Sequence, residues 1–261
     1  MKTSYLLSDN SLGSILYRAV ASAWKSITSE DVAIINSTVS NSFNGSNFQV
    51  TGEGPVVTRT VELSNFSQLI VSGPIDVIIC KSKPTVALLE GQKNIIDLIE
   101  LNIDGERLAV KAIANFTTTQ PIRLHLAVSE LSVITLHGSG DITTVDAVTA
   151  EYFTVVVNGS GDANITVDSN NMNALVGGSG DIVLIGKSNR LSAMVNGSGD
   201  IWAKYLIAKE VHATVHGSGD IEVSASEVFN GNVHGSGDII CIGNPKEVRK
   251  NINGSGSVEV K

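Results

Sequence analysis

Aromatic side chains supply only 5% of this 261-residue chain, while glycine supplies 25 residues. That balance suits small side chains packed in narrow layers. Cysteine is nearly missing: Cys80 and Cys241 stand far apart, which argues against a disulfide framework. Positive charge is in deficit too, with 18 basic against 26 acidic residues and a net charge of −8. An acidic chain with no basic patch is a poor partner for nucleic acid or anionic lipid. No secretory apolar core and no 18-residue membrane span is found near the N-terminus, because Asp9 and Asn10 break the run that Leu6 and Leu7 begin. No catalytic constellation stands out.

What is present is repetition. His137-Gly-Ser-Gly-Asp141 recurs at Asn158–Asp162, Gly177–Asp181, Asn196–Asp200, His216–Asp220 and His234–Asp238, and ends altered at Asn253–Ser257. Successive copies are 21, 19, 19, 20, 18 and 19 residues apart. A fixed period near 19 marks a solenoid, in which each coil buries its apolar face only against its neighbours.

The residues around each copy fall into columns. Leu136, Val157, Val176, Val195, Val215, Val233 and Ile252 precede the phrase. Ile134, Val155, Ala174, Ala193, Ala213, Gly231 and Lys250 stand two positions earlier, and Ile142, Ala163, Ile182, Ile201, Ile221, Ile239 and Val258 follow it. Alternation with more polar positions is period 2, the strand signal. The expected fold is all-β: a right-handed β-helix-like solenoid of ~19-residue coils with Gly-Ser-Gly-Asp corners. Each coil then reads as strand, corner, strand and a looser turn. Glycine suits the corner because it has no side chain to strike the coil above. At the usual strand spacing the column is roughly 30 Å long. Lys250 falls in the last coil, where an atypical capping repeat is expected. Cys241 lies in an inward column and reads as a small core residue.

Residues 1–55 form an N-terminal extension and residues 56–261 a single solenoid domain. In the extension, Leu12, Ile15, Leu16, Ala19, Val20, Ala23, Trp24 and Ile27 share one face of a short helix over 11–28. That helix caps the solenoid, offers a surface for a membrane or a partner, or is part of an unrecognised export element. An Asn/Ser-rich linker, residues 36–47, follows. Gly73-Pro74-Ile75-Asp76 looks like a degenerate first corner. Asn94 to Glu100 suggests a helical turn, and Asp104-Gly105-Glu106 a hairpin.

The candidate site residues lie on the repeat. Asp141, Asp162, Asp181, Asp200, Asp220 and Asp238 form one column, and adjacent carboxylates ~5 Å apart repel by about 1–3 kcal/mol. Hydrogen bonds from the Ser hydroxyl and Gly N–H groups of the corners would offset this. A calcium row is the alternative, although one Asp per coil falls short of six to eight oxygens. His216 and His234 are neighbours but too few for a usual zinc site. His125 and His212 lack evident partners. No metal or cofactor is expected. Val156, Leu175 and Met194 form an outward apolar stripe before the corner, and Val183, Trp202 and Ile240 point outward after it. A contiguous patch of this kind marks an interface.

The repeated Gly-Ser-Gly-Asp-Ile, the upstream Val71-Ser-Gly-Pro-Ile-Asp-Val77 and the closing Gly243-Asn-Pro-Lys through Gly254-Ser-Gly-Ser-Val258 resemble the bacterial head GIN domain family, described as auto-transporter adhesins. The resemblance runs from about Val61 to Lys261. It implies a non-enzymatic, β-helix-like domain at the cell envelope or outside the cell, and it supplies no catalytic residues. Because no clear signal peptide is seen, a cytoplasmic location stays open. The expected function is a binding or structural module of adhesin type, whose partner is a protein or glycan surface ligand or a second copy of the chain. A self-assembling scaffold, intracellular or held to a membrane through the N-terminal helix, is the alternative. A carbohydrate-active β-helix enzyme is a third reading. The corners offer it carboxylates but no neighbouring Arg or Lys and little aromatic platform.

Overall fold

Strands alternate with tight corners from Gln49 onward, as the period-2 columns require. The computed structural model describes residues 49–83 and 85–261. The helix expected over 11–28 and the linker 36–47 lie outside these residues. In chain order the elements are β1 (Gln49–Thr51), β2 (Val56–Glu62), β3 (Gln68–Val71), β4 (Asp76–Lys81), β5 (Val86–Gln92), the one-turn helix α1 (Lys93–Ile96), β6 (Ile99–Asp104), β7 (Arg107–Ala112), β8 (Asn115–Thr117), β9 (Arg123–Val128) and β10 (Val133–Leu136). There follow β11 (Ile142–Thr144), β12 (Val148–Val157), β13 (Ala163–Val176), β14 (Ile182–Val195), β15 (Ile201–Val215), β16 (Ile221–Val233), β17 (Ile239–Ile242), β18 (Glu247–Ile252) and β19 (Val258–Val260). The architecture is an all-β solenoid of about 7 turns with ~19-residue coils.

Coils stack by parallel pairing. The strands before the corners run β3, β10, β12, β13, β14, β15, β16, β18, and those after it run β4, β11, β13, β14, β15, β16, β17, β19. Four long strands appear in both series. β13, for example, leaves one corner at Ala163 and reaches the next at Val176 without interruption. In these four coils the looser turn expected from the sequence is therefore a bend within a continuous strand.

That bend is visible in the burial pattern. Ala163, Ile165, Val167 and Ser169 face inward, then the phase slips at Asn170–Asn171 and Met172, Ala174 and Val176 take over. Small residues stack at the inside of the bend: Ala150 on Ser169, Ser169 on Ser188, Ser188 on Ala208, and Ala208 on Ala225. The Ser169 and Ser188 hydroxyls are buried, and Ser188 donates to the Arg190 carbonyl at 2.8 Å, so neither is left unpaired. Between bend and corner the core is a file of small aliphatic side chains. Phe153 and Phe229 are its largest fully buried members. Gly231 faces the Phe229 ring, and a Cβ there would press on it. Cys241 is buried in its inward column.

The N-terminal end departs from the repeat. β7 and β9 add one further layer against β3 and β4. On that layer the pairing turns antiparallel: β6 on β7, β5 on β9 and β2 on β5. The β6–β7 hairpin turns at Gly105, whose φ is +59°, which agrees with the sequence expectation. α1 tucks Ile95 and Ile96 beneath this cap.

Corners lie directly on one another. The first glycine of each phrase accepts, at its carbonyl, the N–H of the next coil's serine: Ser179 to Gly159 at 3.0 Å and Ser198 to Gly178 at 2.9 Å. A Cβ on Gly178 would collide with the Gly159 carbonyl oxygen, which is backbone and cannot step aside. A Cβ on the adjacent Gly177 meets only the Asn158 side chain, which can. Gly178→Ala is therefore expected to lower stability by about 1–3 kcal/mol, and Gly177→Ala to leave it nearly unchanged. Thermal unfolding of the two variants checks this, and equal midpoints would rule out such close stacking.

Candidate functional site

The corner phrase carries a continuous row of titratable groups. Asp141, Asp162, Asp181, Asp200, Asp220 and Asp238 stack in one file that Asp76 begins. Each carboxylate bridges to the next coil. Asp162 donates its N–H to Asp141 Oδ1 at 2.9 Å, Asp200 to Asp181 at 2.8 Å, Asp220 to Asp200 at 2.7 Å, and Ser257 to Asp238 at 2.6 Å. The donor is thus the backbone N–H of the following aspartate, not the Ser hydroxyl or Gly N–H expected from the sequence. The physical reason is the stacking: at that point of the corner the side-chain oxygen takes the place of a backbone acceptor in the ladder. In the opposite direction Ile142 donates to the Asp162 carbonyl at 2.8 Å, and Ile182 to that of Asp200 at 2.9 Å.

A hydrogen bond to a charged acceptor contributes roughly 1.5–3 kcal/mol net. Repulsion between neighbouring carboxylates costs about the same. The row is therefore close to electrostatic balance. Partial burial pushes the Asp200 carboxyl above its ordinary value; the Asp220 N–H pulls it down, while Asp181 and Asp220 push it up. Among the described residues no group of three or more His, Cys, Asp or Glu is placed to hold a metal ion.

The position that opens each phrase forms an exposed polar ladder. His216 Nδ1 lies 3.0 Å from Asn196 Oδ1, and the His216 and His234 rings stack with centroids 5.2 Å apart. The partners missing for the other histidines are supplied by tertiary structure. His212 Nδ1 meets Asn230 Nδ2 at 3.2 Å. His125 lies 3.7 Å from Glu90, which also receives Arg123 at 3.2 Å. Burial pushes the His125 imidazole below its usual value, and Glu90 pulls it partly back. Burial raises the thiols of Cys80 and Cys241, and a thiol held protonated is a poor nucleophile.

The outward apolar residues fall into two groups. Val156, Leu175 and Met194 are direct neighbours in register, bounded by Thr135 and Thr214. After the corner Val183 pairs with Trp202, but Glu222 separates Trp202 from Ile240. The Glu222 carboxylate is held by Lys204 at 3.0 Å. All six apolar residues are half-buried.

A more exposed set adjoins Trp202. β15 carries extra residues: Val183 pairs with Trp202 and Ile185 with Tyr205, so Ala203 and Lys204 together face Leu184 alone. Towards β16 the register breaks between Ala203 and Ile207. Such a bulge re-aims side chains. Here Tyr205 is 65% exposed, Ile207 66% and, on the neighbouring strand, Ile185 46%. Lys204 reaches over the Tyr205 ring at 5.5 Å. The 20-residue spacing between the copies at Asn196 and His216 was the sequence signal for the insertion.

Asp200 offers a test of the corner file. Asp200→Ala leaves the Asp220 N–H without its acceptor and is expected to cost about 1–3 kcal/mol. Asp200→Asn keeps the oxygen, removes a like charge and is expected to match or exceed the wild type at pH 7. A carboxyl whose folded pKa is raised contributes stability that is complete below its unfolded value of 3.8 and lost as pH rises through the folded value. The advantage of Asp200→Asn should therefore shrink as pH falls from 7 towards 4, read from chemical denaturation at each pH. An advantage that grows on acidification would contradict the electrostatic account.

Comparison with known proteins follows the same geometry. A "putative adhesin" from Bacteroides fragilis superposes with a TM-score of 0.78 at 22% identity, covering 81% of this chain and all of that one. A "putative lipid binding protein" from Parabacteroides distasonis gives 0.69 at 23%, covering 82% and 100%. A "putative adhesin" from the same species gives 0.72 at 20%, covering 82% and 100%. At these identities the likeness is one of fold. None of these names denotes an enzyme. The comparison with curated proteins finds no match. Residues 65–245 match the family described as "Putative auto-transporter adhesin, head GIN domain", and the chain belongs to that family.

Proposed function

We propose that this chain is a non-enzymatic binding module of the cell envelope or surface, which holds a protein or glycan ligand against the outward face of the strands that follow the corner. The observation that carries this reading is the contiguous apolar patch on β14 and β15: Val183, Ile185, Trp202, Tyr205 and Ile207. Five large apolar side chains on two adjacent strands, three of them well exposed, exceed the scatter of single exposed residues expected on any surface. Aromatic anchors beside a rim of charge, here Lys204, Glu222 and Lys187, are the usual composition of a recognition surface. Ile240 extends the patch beyond Glu222. Val156, Leu175 and Met194 form a second, less exposed stripe before the corner.

The adhesin family supports a binding role. Residues 56–261 serve as one rigid unit, wound in the right-handed sense usual for parallel β connections, with Gly-Ser-Gly-Asp at six of its corners. A lipid ligand, suggested by the name of one structural neighbour, is a distinguishable alternative. No described helix is long and apolar enough to cross a membrane.

Trp202→Glu places a charge in the middle of the patch while touching only half-buried surface. Wild type and variant are to be applied to immobilised glycans, purified extracellular-matrix proteins and neutral lipid vesicles. Loss of at least tenfold in affinity for whichever probe the wild type holds, with thermal unfolding unchanged, is expected. Full retention of that binding and of the oligomeric state would discard this face as the site.

A further inference from the structure

The last coil differs from every coil beneath it in two ways that act on the same edge. The first is at the corner. Seven successive corners each donate one N–H to a carboxylate oxygen of the corner below, from Asp141 on Asp76 to Ser257 on Asp238. Among the described residues no corner N–H is donated to the Ser257 side chain. Ser257 stands where the file has aspartate, and its side chain is a bond shorter and uncharged. A coil laid on top would find no carboxylate for its corner N–H.

The second is inside the coil. Lys250 occupies the inward column otherwise filled by Ile134, Val155, Ala174, Ala193, Ala213 and Gly231. Its stem crosses from β18 to β19, and Nζ donates to the Val258 carbonyl at 3.0 Å. The direction of that carbonyl matters. Ser257 accepts from Ile239 at 2.9 Å and Lys261 from Gly243 at 3.0 Å, so the carbonyls of these odd-numbered residues face the coil below. Carbonyls alternate along a strand, so that of Val258 faces the open side, where a further strand would use it. Lys250 takes it instead. Around it Val248 and Ile252 lie in inward columns yet are 43% and 46% exposed, and every residue of β18 is exposed. Among the described residues this end of the core is open, and a flat apolar edge invites pairing with another chain.

We propose that residues 247–260 form a stop coil, in which Lys250 and Ser257 together prevent a second copy of this chain from stacking edge to edge on β18 and β19. An inward-pointing lysine is an established way to blunt a strand edge. Here it occupies an edge acceptor while shielding the aliphatic end of the core. The opposite end needs no such device, since antiparallel β5, β6 and β2 already turn across it. Self-association of the native chain through this end is then blocked. This inference does not rest on the binding face proposed above.

The test uses the full chain. Lys250→Val with Ser257→Asp restores both columns, and weight-average mass is followed by sedimentation over a range of concentrations. The wild type is expected to show no association through this end, and the double variant a concentration-dependent rise to dimer or beyond. Adding Val248→Lys and Ile252→Lys to the double variant is expected to return it to the wild-type mass. A double variant that folds and stays at the wild-type mass overturns the proposal, as does association that survives the added lysines. Should the double variant fail to fold, Lys250→Met keeps the stem and deletes only the ammonium. The same two outcomes then decide.

Discussion

Everything in this molecule depends on corners that touch. Strands can stack at their normal spacing of ~4.8 Å only if the turns that join them stack at that spacing too. Backbone then lies on backbone, and no side chain fits between. Glycine follows at the two contact positions of each phrase. The carboxylate follows as well, because it reaches up to the next N–H and carries the hydrogen-bond ladder around the corner. A neutral side chain of similar reach would avoid the mutual repulsion of the file. The charged one makes a stronger bond per coil, and the two effects are of similar size.

Legibility in the sequence follows from the same constraint. The repeat, the strand assignment and the inward columns could be read because one local geometry is imposed on coil after coil, and period 2 separates inside from outside. The looser turn of each coil was also expected, but not its form in the long strands, where it is a bend lined by Ala150, Ser169, Ser188, Ala208 and Ala225 that leaves the strand unbroken. Within the antiparallel cap only the β6–β7 hairpin at Gly105 was legible; the pairing of β2 with β5 and of β5 with β9 repeats nothing and gave no signal. The donor to each carboxylate was missed because it is a backbone N–H, a group that every non-proline residue offers. Of the outward residues, Val156, Leu175, Met194, Val183, Trp202 and Ile240 were found by alternation alone. Tyr205 and Ile207 escaped because the bulge in β15 shifts the phase at that point.

The bulge and the final coil break the repeat, and on the readings proposed above both breaks bear on interaction. In β15 extra residues lift Tyr205 and Ile207 out of a surface whose pleat would otherwise be uniform. In β18 and β19 the departures at Lys250 and Ser257 close an edge. A solenoid of identical coils would have neither a distinct face nor a defined length. Local exceptions to the repeat supply both, and they are affordable because each coil answers only to its neighbours.

Nearest-neighbour packing also governs how the column bears load. All coil-to-coil bonds run along its axis, so tension applied at the two ends strains them one interface at a time. The outermost coil peels first, and the interfaces behind it keep their full set of bonds. Each coil of ~19 residues releases roughly 65 Å of extended chain. A column of this kind yields in steps under such a pull and dissipates work at every step, lengthening coil by coil before the part still wound is lost.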